Sequence, residues 1–150
     1  MRFFEDIKAG DTFHTAEAVV TADDIVRFGR EFDPQPFHTD AAVAKSSFFG
    51  GLVASGWHTA GISMRLMVQS EMRLDEGVIG QGVESVRWPR PVYPGDRLKV
   101  ECRVEEKHEK PGRTDYGTVR LRCITRNQDG RVVQDMVANL LVKRRPPANP

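Results

Sequence analysis

Hydrophobic and polar positions divide the chain into two regimes. Over residues 21–32, TADDIVRFGREF, the apolar Ile25, Phe28 and Phe32 stand at i, i+3 and i+7 among charged neighbours, which predicts an amphipathic helix. Thr21, followed three positions later by Asp24, predicts its N-terminal cap. Pro34 and Pro36 push Asp33 and Gln35 toward extended backbone and end the helix, so residues 33–38 are expected to form a stiff turn. A short helix is expected over 41–45, opened by Thr39 or Asp40. Residues 46–56, SSFFGGLVASG, start too rich in glycine for a regular helix. Residues 57–72 are apolar on nearly every face except near Arg65, Gln69 and Glu71, the pattern of a buried helix.

Beyond Asp75 the period changes. Residues 78–88, 97–108, 115–125 and 132–143 are rich in Val, Leu and Ile, and LKVECRV (98–104) and TVRLRCI (118–124) partly alternate, as half-buried strands do. Turn chemistry at Pro94-Gly95-Asp96, at Pro111-Gly112 and over 127–130 predicts antiparallel hairpins. With a first strand over 12–20, the expected fold is α+β, with one antiparallel sheet of about five strands around one long helix. One domain is expected over 1–150, ending in a flexible Pro-rich tail at 144–150. Such a sheet leaves an edge that needs a partner or polar protection.

Composition narrows the function classes. With 39% hydrophobic and 29% charged residues, the chain is a folded domain and not a disordered one. A formal net charge of +1 provides no field that would recruit nucleic acid or an anionic membrane. The acidic start MRFFEDIKAGD lacks a secretory leader, and no apolar run reaches membrane-spanning length, so a cytoplasmic location is expected. Cys102 and Cys123 lack CxxC spacing and are expected to be buried free thiols. His14, His38, His58 and His108 are scattered without a ligand motif, and no metal or other cofactor is expected.

The turn itself carries candidate chemistry. Asp33 and His38 place a carboxylate and an imidazole five positions apart, close enough to act on one small volume as proton-transfer groups. The alternative is a turn-forming carboxylate and a satisfied core histidine. No G-x-G-x-x-G or P-loop pattern indicates a phosphate cradle.

Three segments in order resemble the MaoC-like, or (R)-specific enoyl-CoA hydratase, branch of the hotdog fold: DPQPFH (33–38), FGGLVASG (49–56) and RPVYPGD (90–96). The resemblance extends from FEDIKAGD to about Arg144. It implies a hotdog sheet wrapped around the central helix, a short-helix overhang carrying the catalytic turn, and a homodimer, a dimer of dimers or a larger assembly with sheets joined edge to edge. It implies reversible hydration of trans-2-enoyl-CoA to (R)-3-hydroxyacyl-CoA. Asp33 and His38 would activate water and return its proton, while the Gly56 backbone N–H would hold the thioester oxygen. Gln35, Phe37, Ser55, Trp57, Arg87 and Arg90 would line the acyl-CoA site. Gln35 stands where the family usually has Asn, and Ser55 where many members have His. Thioester hydrolysis on the same fold, or acyl-CoA binding without catalysis, are the alternatives. His58 is expected to pack or hydrogen-bond within the central helix.

Overall fold

The computed structural model describes residues 1–149. Helix α1 (Ala22–Phe32) starts where Thr21 accepts a hydrogen bond from the Asp24 N–H, as the capping pattern requires. Its apolar stripe is only partly inward: Ile25 is buried and Phe28 half-buried, but Phe32 is exposed. After Asp33 come two single-turn helices, α2 (Pro36–Thr39) and α3 (Ala41–Ala44), the second capped by the Asp40 carboxylate through the Ala42 and Val43 N–H groups. Together they form the overhang.

The long helix α4 spans Gly56–Val68, so it begins one residue earlier and ends four residues sooner than its apolar run suggested. Ser70 ends the pattern: its hydroxyl donates to the Met67 carbonyl and accepts from the Met72 N–H, offering the backbone a turn in place of another helical bond. Nor is α4 buried all round. Thr59, Ile62, Ser63, Leu66 and Met67 face the sheet, whereas Trp57, Met64 and Val68 are exposed.

The sheet contains β1 (Thr12–His14), β2 (Ala18–Val19), β3 (Ile79–Arg87), β4 (Arg97–Glu109), β5 (Tyr116–Arg126) and β6 (Val132–Lys143). Its order is β1-β4-β5-β6-β3, and β2 also pairs with β4. The single first strand expected over 12–20 is therefore one edge position broken at residues 15–17, and the sheet has five positions. All the strand pairings are antiparallel. Leu98, Val100, Cys102 and Val104 of β4, with Val119, Leu121 and Cys123 of β5, form the inward layer on which α4 rests. This is an open hotdog fold. Cys102 and Cys123 are free, buried and directly opposite one another across β4 and β5.

Two local features bear on the site. In β6 the register against β5 shifts between Thr125 and Arg126, which leaves Val133 as an extra residue and turns both Val133 and Gln134 inward. At the other edge, β3 pairs among the described residues only with β6 and is exposed along most of its length. Arg144 and Arg145, at the start of the Pro-rich segment, are ion-paired to Glu5 and Asp6. None of the helices among the described residues is long and apolar enough to cross a membrane.

Candidate active site

Local sequence chemistry brings the turn together. Gln35 has the extended backbone that its following proline demands (φ −85°, ψ 144°), whereas Asp33, expected to be extended too, leaves the α region but stops short of extension (φ −148°, ψ 71°); Pro36 at the first helical position starts α2. His38 then returns over Asp33. Residues 52–55 run beside α2, fixed by the Val53 N–H to the Phe37 carbonyl (3.1 Å) and the Ala54 N–H to the Val92 carbonyl (2.9 Å). This path delivers the Val53 carbonyl to His38, whose Nδ1 lies 2.6 Å from it. A carbonyl oxygen only accepts, so Nδ1 carries a proton and Nε2 is the nitrogen turned toward Asp33.

Nε2 of His38 is 3.2 Å from Asp33 Oδ2. The other carboxylate oxygen accepts from Gln35 Nε2 at 2.7 Å. Burial works to raise the Asp33 carboxyl, but hydrogen bonds from Gln35 and Ser55 and the adjacent His38 ring outweigh it and hold the group below the usual carboxylate range. Ser55 is buried at the start of α4, where its hydroxyl also accepts the Trp57 N–H at 3.3 Å. It thus ties the carboxylate to the helix cap.

The pair opens on a cleft of about 480 Å³, within the size range of small-molecule sites. Gly56 and Trp57 of α4, Trp88 and Arg90 after β3, Phe37 of the overhang, and Phe48 and Phe49 of the loop after α3 line it. Gly56 lies in the first turn of α4, where backbone N–H groups have no helical acceptor and meet the positive end of the helix dipole. It must be glycine for another reason as well: a Cβ there would stand 2.5 Å from Cε2 of Trp88.

A family model described as a MaoC like domain matches residues 5–127. The chain belongs to the MaoC-like family. This MaoC-like chain superimposes on the crystal structure of a MaoC-like dehydratase from Rhodospirillum rubrum with a TM-score of 0.93 and 47% identity, covering 97% of this chain and 99% of that one. An unliganded R-hydratase, PhaJ1 from Pseudomonas aeruginosa, matches with a TM-score of 0.77 and 25% identity over 99% of this chain and 96% of that one. By sequence, the uncharacterized protein YdeM of Bacillus subtilis is 33% identical over 140 residues, 93% of this chain and 98% of that protein.

Against its family pattern, the MaoC-like chain gathers Asp33, Gln35, Phe37, His38, Ser55, Gly56, Trp57 and Arg90 around one cleft. Arg87 is not among them. Strand alternation turns it to the outer face of the sheet, beside Asp135, Arg120 and Arg122. Among the described residues His58 packs without hydrogen-bonding: its ring stacks on Phe28 at 4.9 Å, and its buried Nδ1 has no partner there. Trp88, which the sequence reads as core or pocket wall, lines the cleft, while Phe48 and the Val53 carbonyl carry no sequence signal as parts of the site. Trp88 and the Val53 carbonyl reach it through cross-strand and loop packing, for which a linear sequence carries no spacing signal.

Proposed function

We propose that this protein reversibly hydrates a trans-2-enoyl-CoA to an (R)-3-hydroxyacyl-CoA. The observation that carries this reading is the His38 ring, oriented by the Val53 carbonyl so that Nε2 and Asp33 Oδ2 converge at 3.2 Å on a substrate-sized cleft. A water held beside the pair, within reach of both atoms, gives one proton to them while its oxygen bonds to C3 of the enoyl group. The electrons of the double bond move onto the thioester oxygen, where the Gly56 N–H stabilises them; such a donor contributes about 3 kcal/mol in a transition state. The pair then delivers the proton to C2. The catalytic groups approach from one side, which supports a single configuration at C3. Ser55 and Gln35 hold the carboxylate, Phe37 and Trp57 wall the acyl thioester, and the exposed Arg90 at the cleft offers a cation to CoA phosphate.

Thioester hydrolysis is less well supported. The acidic residues after α4 are occupied elsewhere: Glu71 accepts the His14 N–H, and Asp75 pairs with Lys143. A homodimer belongs to the same reading. Trp57, Gly61, Met64 and Val68 form an exposed stripe on α4 at i, i+4, i+7 and i+11, and β3, with its exposed Val83, has an edge unpaired among the described residues. A second copy would cover both.

The test follows loss of the enoyl-thioester absorbance alongside free-thiol release, for wild type, Asp33→Asn and His38→Ala. Expected are hydration without thiol release and a fall of roughly 10²- to 10⁴-fold in each variant. Undiminished rates in both variants would remove the assignment. Sedimentation of wild type against Met64→Lys tests the dimer.

A further inference from the structure

We infer that Trp88 sets the acyl-chain limit of the cleft, and that Gln134 is the positioning residue that holds its ring there. The inference rests on the acyl-CoA reading above and adds to it a preference for short acyl groups.

Trp88 directly follows β3. Continuing the register in which Arg87 faces Asp135, it stands opposite Gln134, whose side chain the β6 bulge turns inward. The indole Nε1–H donates to Gln134 Oε1 at 3.0 Å. Indole nitrogen only donates, so the amide has a single compatible orientation, with its oxygen toward Trp88 and its Nε2 away. That Nε2 is buried and has no hydrogen-bond partner among the described residues, in a residue that is 0% exposed. A buried amide with one end unsatisfied carries a free-energy cost that an apolar side chain would avoid. The glutamine is therefore expensive as packing. What it supplies is the fixed ring.

The held ring lies where it restricts the substrate. Its atoms press on Gly56 so closely that a Cβ would meet Cε2, Cδ2 and Cζ2 at 2.5, 2.6 and 2.8 Å. Its outer edge is braced by Trp57, with ring centroids 5.1 Å apart and planes at 80°. Gly56 and Trp88 both line the cleft, together with Thr59 and Val133. An acyl chain leaving the Asp33–His38 pair toward β6 therefore runs into the indole. The ring stops it.

Binding of saturated butyryl-CoA and octanoyl-CoA, measured by titration calorimetry, reads the cleft without any need for turnover. Wild type is expected to favour butyryl-CoA by roughly tenfold or more, as an overfilled apolar pocket discriminates. Trp88→Ala should remove most of that preference. Gln134→Leu, which keeps side-chain bulk but frees the indole, should reduce it severalfold. Melting temperatures report whether each variant is folded, and Trp88→Phe provides a milder truncation if Trp88→Ala unfolds. An equal affinity for both ligands in wild type, or a preference unmoved in folded Trp88 and Gln134 variants, overturns the inference and leaves the hydratase reading standing. Binding of neither acyl-CoA overturns both.

Discussion

Gly29, near the end of α1, packs against the backbone of His38, where a Cβ would come within 2.9 Å of both the His38 Cβ and its carbonyl oxygen. The absence of a side chain is thus what lets α1 and α2 close on each other and bring Asp33 under the imidazole. Gly29→Ala should improve helix propensity by about 1 kcal/mol yet lose more through overpacking, typically about 1–3 kcal/mol. The expected outcome is a modest net drop in denaturation midpoint together with a disproportionate loss of hydration rate. A more stable variant with full activity would show that the helices have room to separate.

Ser55 links the α4 cap to the Asp33 carboxylate. Ser55→Ala should cost about 1 kcal/mol of stability from the lost cap, and should raise the Asp33 pKa because one of the hydrogen bonds that lowers it is gone. Carboxyl chemical shifts followed against pH measure this directly. Asp33 titrates below its ordinary value in the folded chain, so the stability it contributes is present above that ordinary value and is lost as pH falls through the lowered folded value. In Asp33→Asn the acid-side decline should be shallower.

His58 gives the opposite side of the same linkage. Burial pushes its imidazole down; Asp24 works against this, and Arg27 and Arg65 add to it. The unfolded chain therefore takes up a proton at a higher pH than the folded one. Stability is expected to be unaffected by this group above its ordinary value near 6.5 and to decline as pH falls below it. His58→Phe, which keeps the stack on Phe28, should flatten urea midpoints measured from neutral to mildly acidic pH. An unchanged slope would mean that the ring charges freely in place.

Gly56→Ala should separate the backbone N–H from the space beside it. The N–H survives the change, but the new Cβ must displace the Trp88 ring. Reduced kcat with a shift in acyl-chain preference is expected, visible in steady-state kinetics on short and long enoyl-CoAs. Unaltered kinetics would place the indole further from the substrate than its contact with Gly56 implies.

The sequence was most informative where local rules govern. Thr21 capped α1, Pro36 extended Gln35 and opened α2, and the alternation in LKVECRV became the inward face of β4. The end of α4 was missed because Met72 is buried despite lying outside the helix, so its apolar character described packing and not helical periodicity. Arg87 was misplaced because proximity to RPVYPGD says nothing about which face of a strand a side chain takes. The partners that finish the site, the Val53 carbonyl and Gln134, are set by a loop crossing and by a bulge. Neither leaves a mark on residue types nearby.

The thiols of Cys102 and Cys123 lie 2.9 Å apart under α4, and contact with Cys102 together with burial raises the Cys123 thiol well above its ordinary value. Both sulfurs are thereby shielded from alkylating reagents unless the layer above them lifts. Their labelling rate is consequently a native clock for opening of the domain's centre. It lets the lifetime of the closed state be timed, with and without ligand, and without adding a probe.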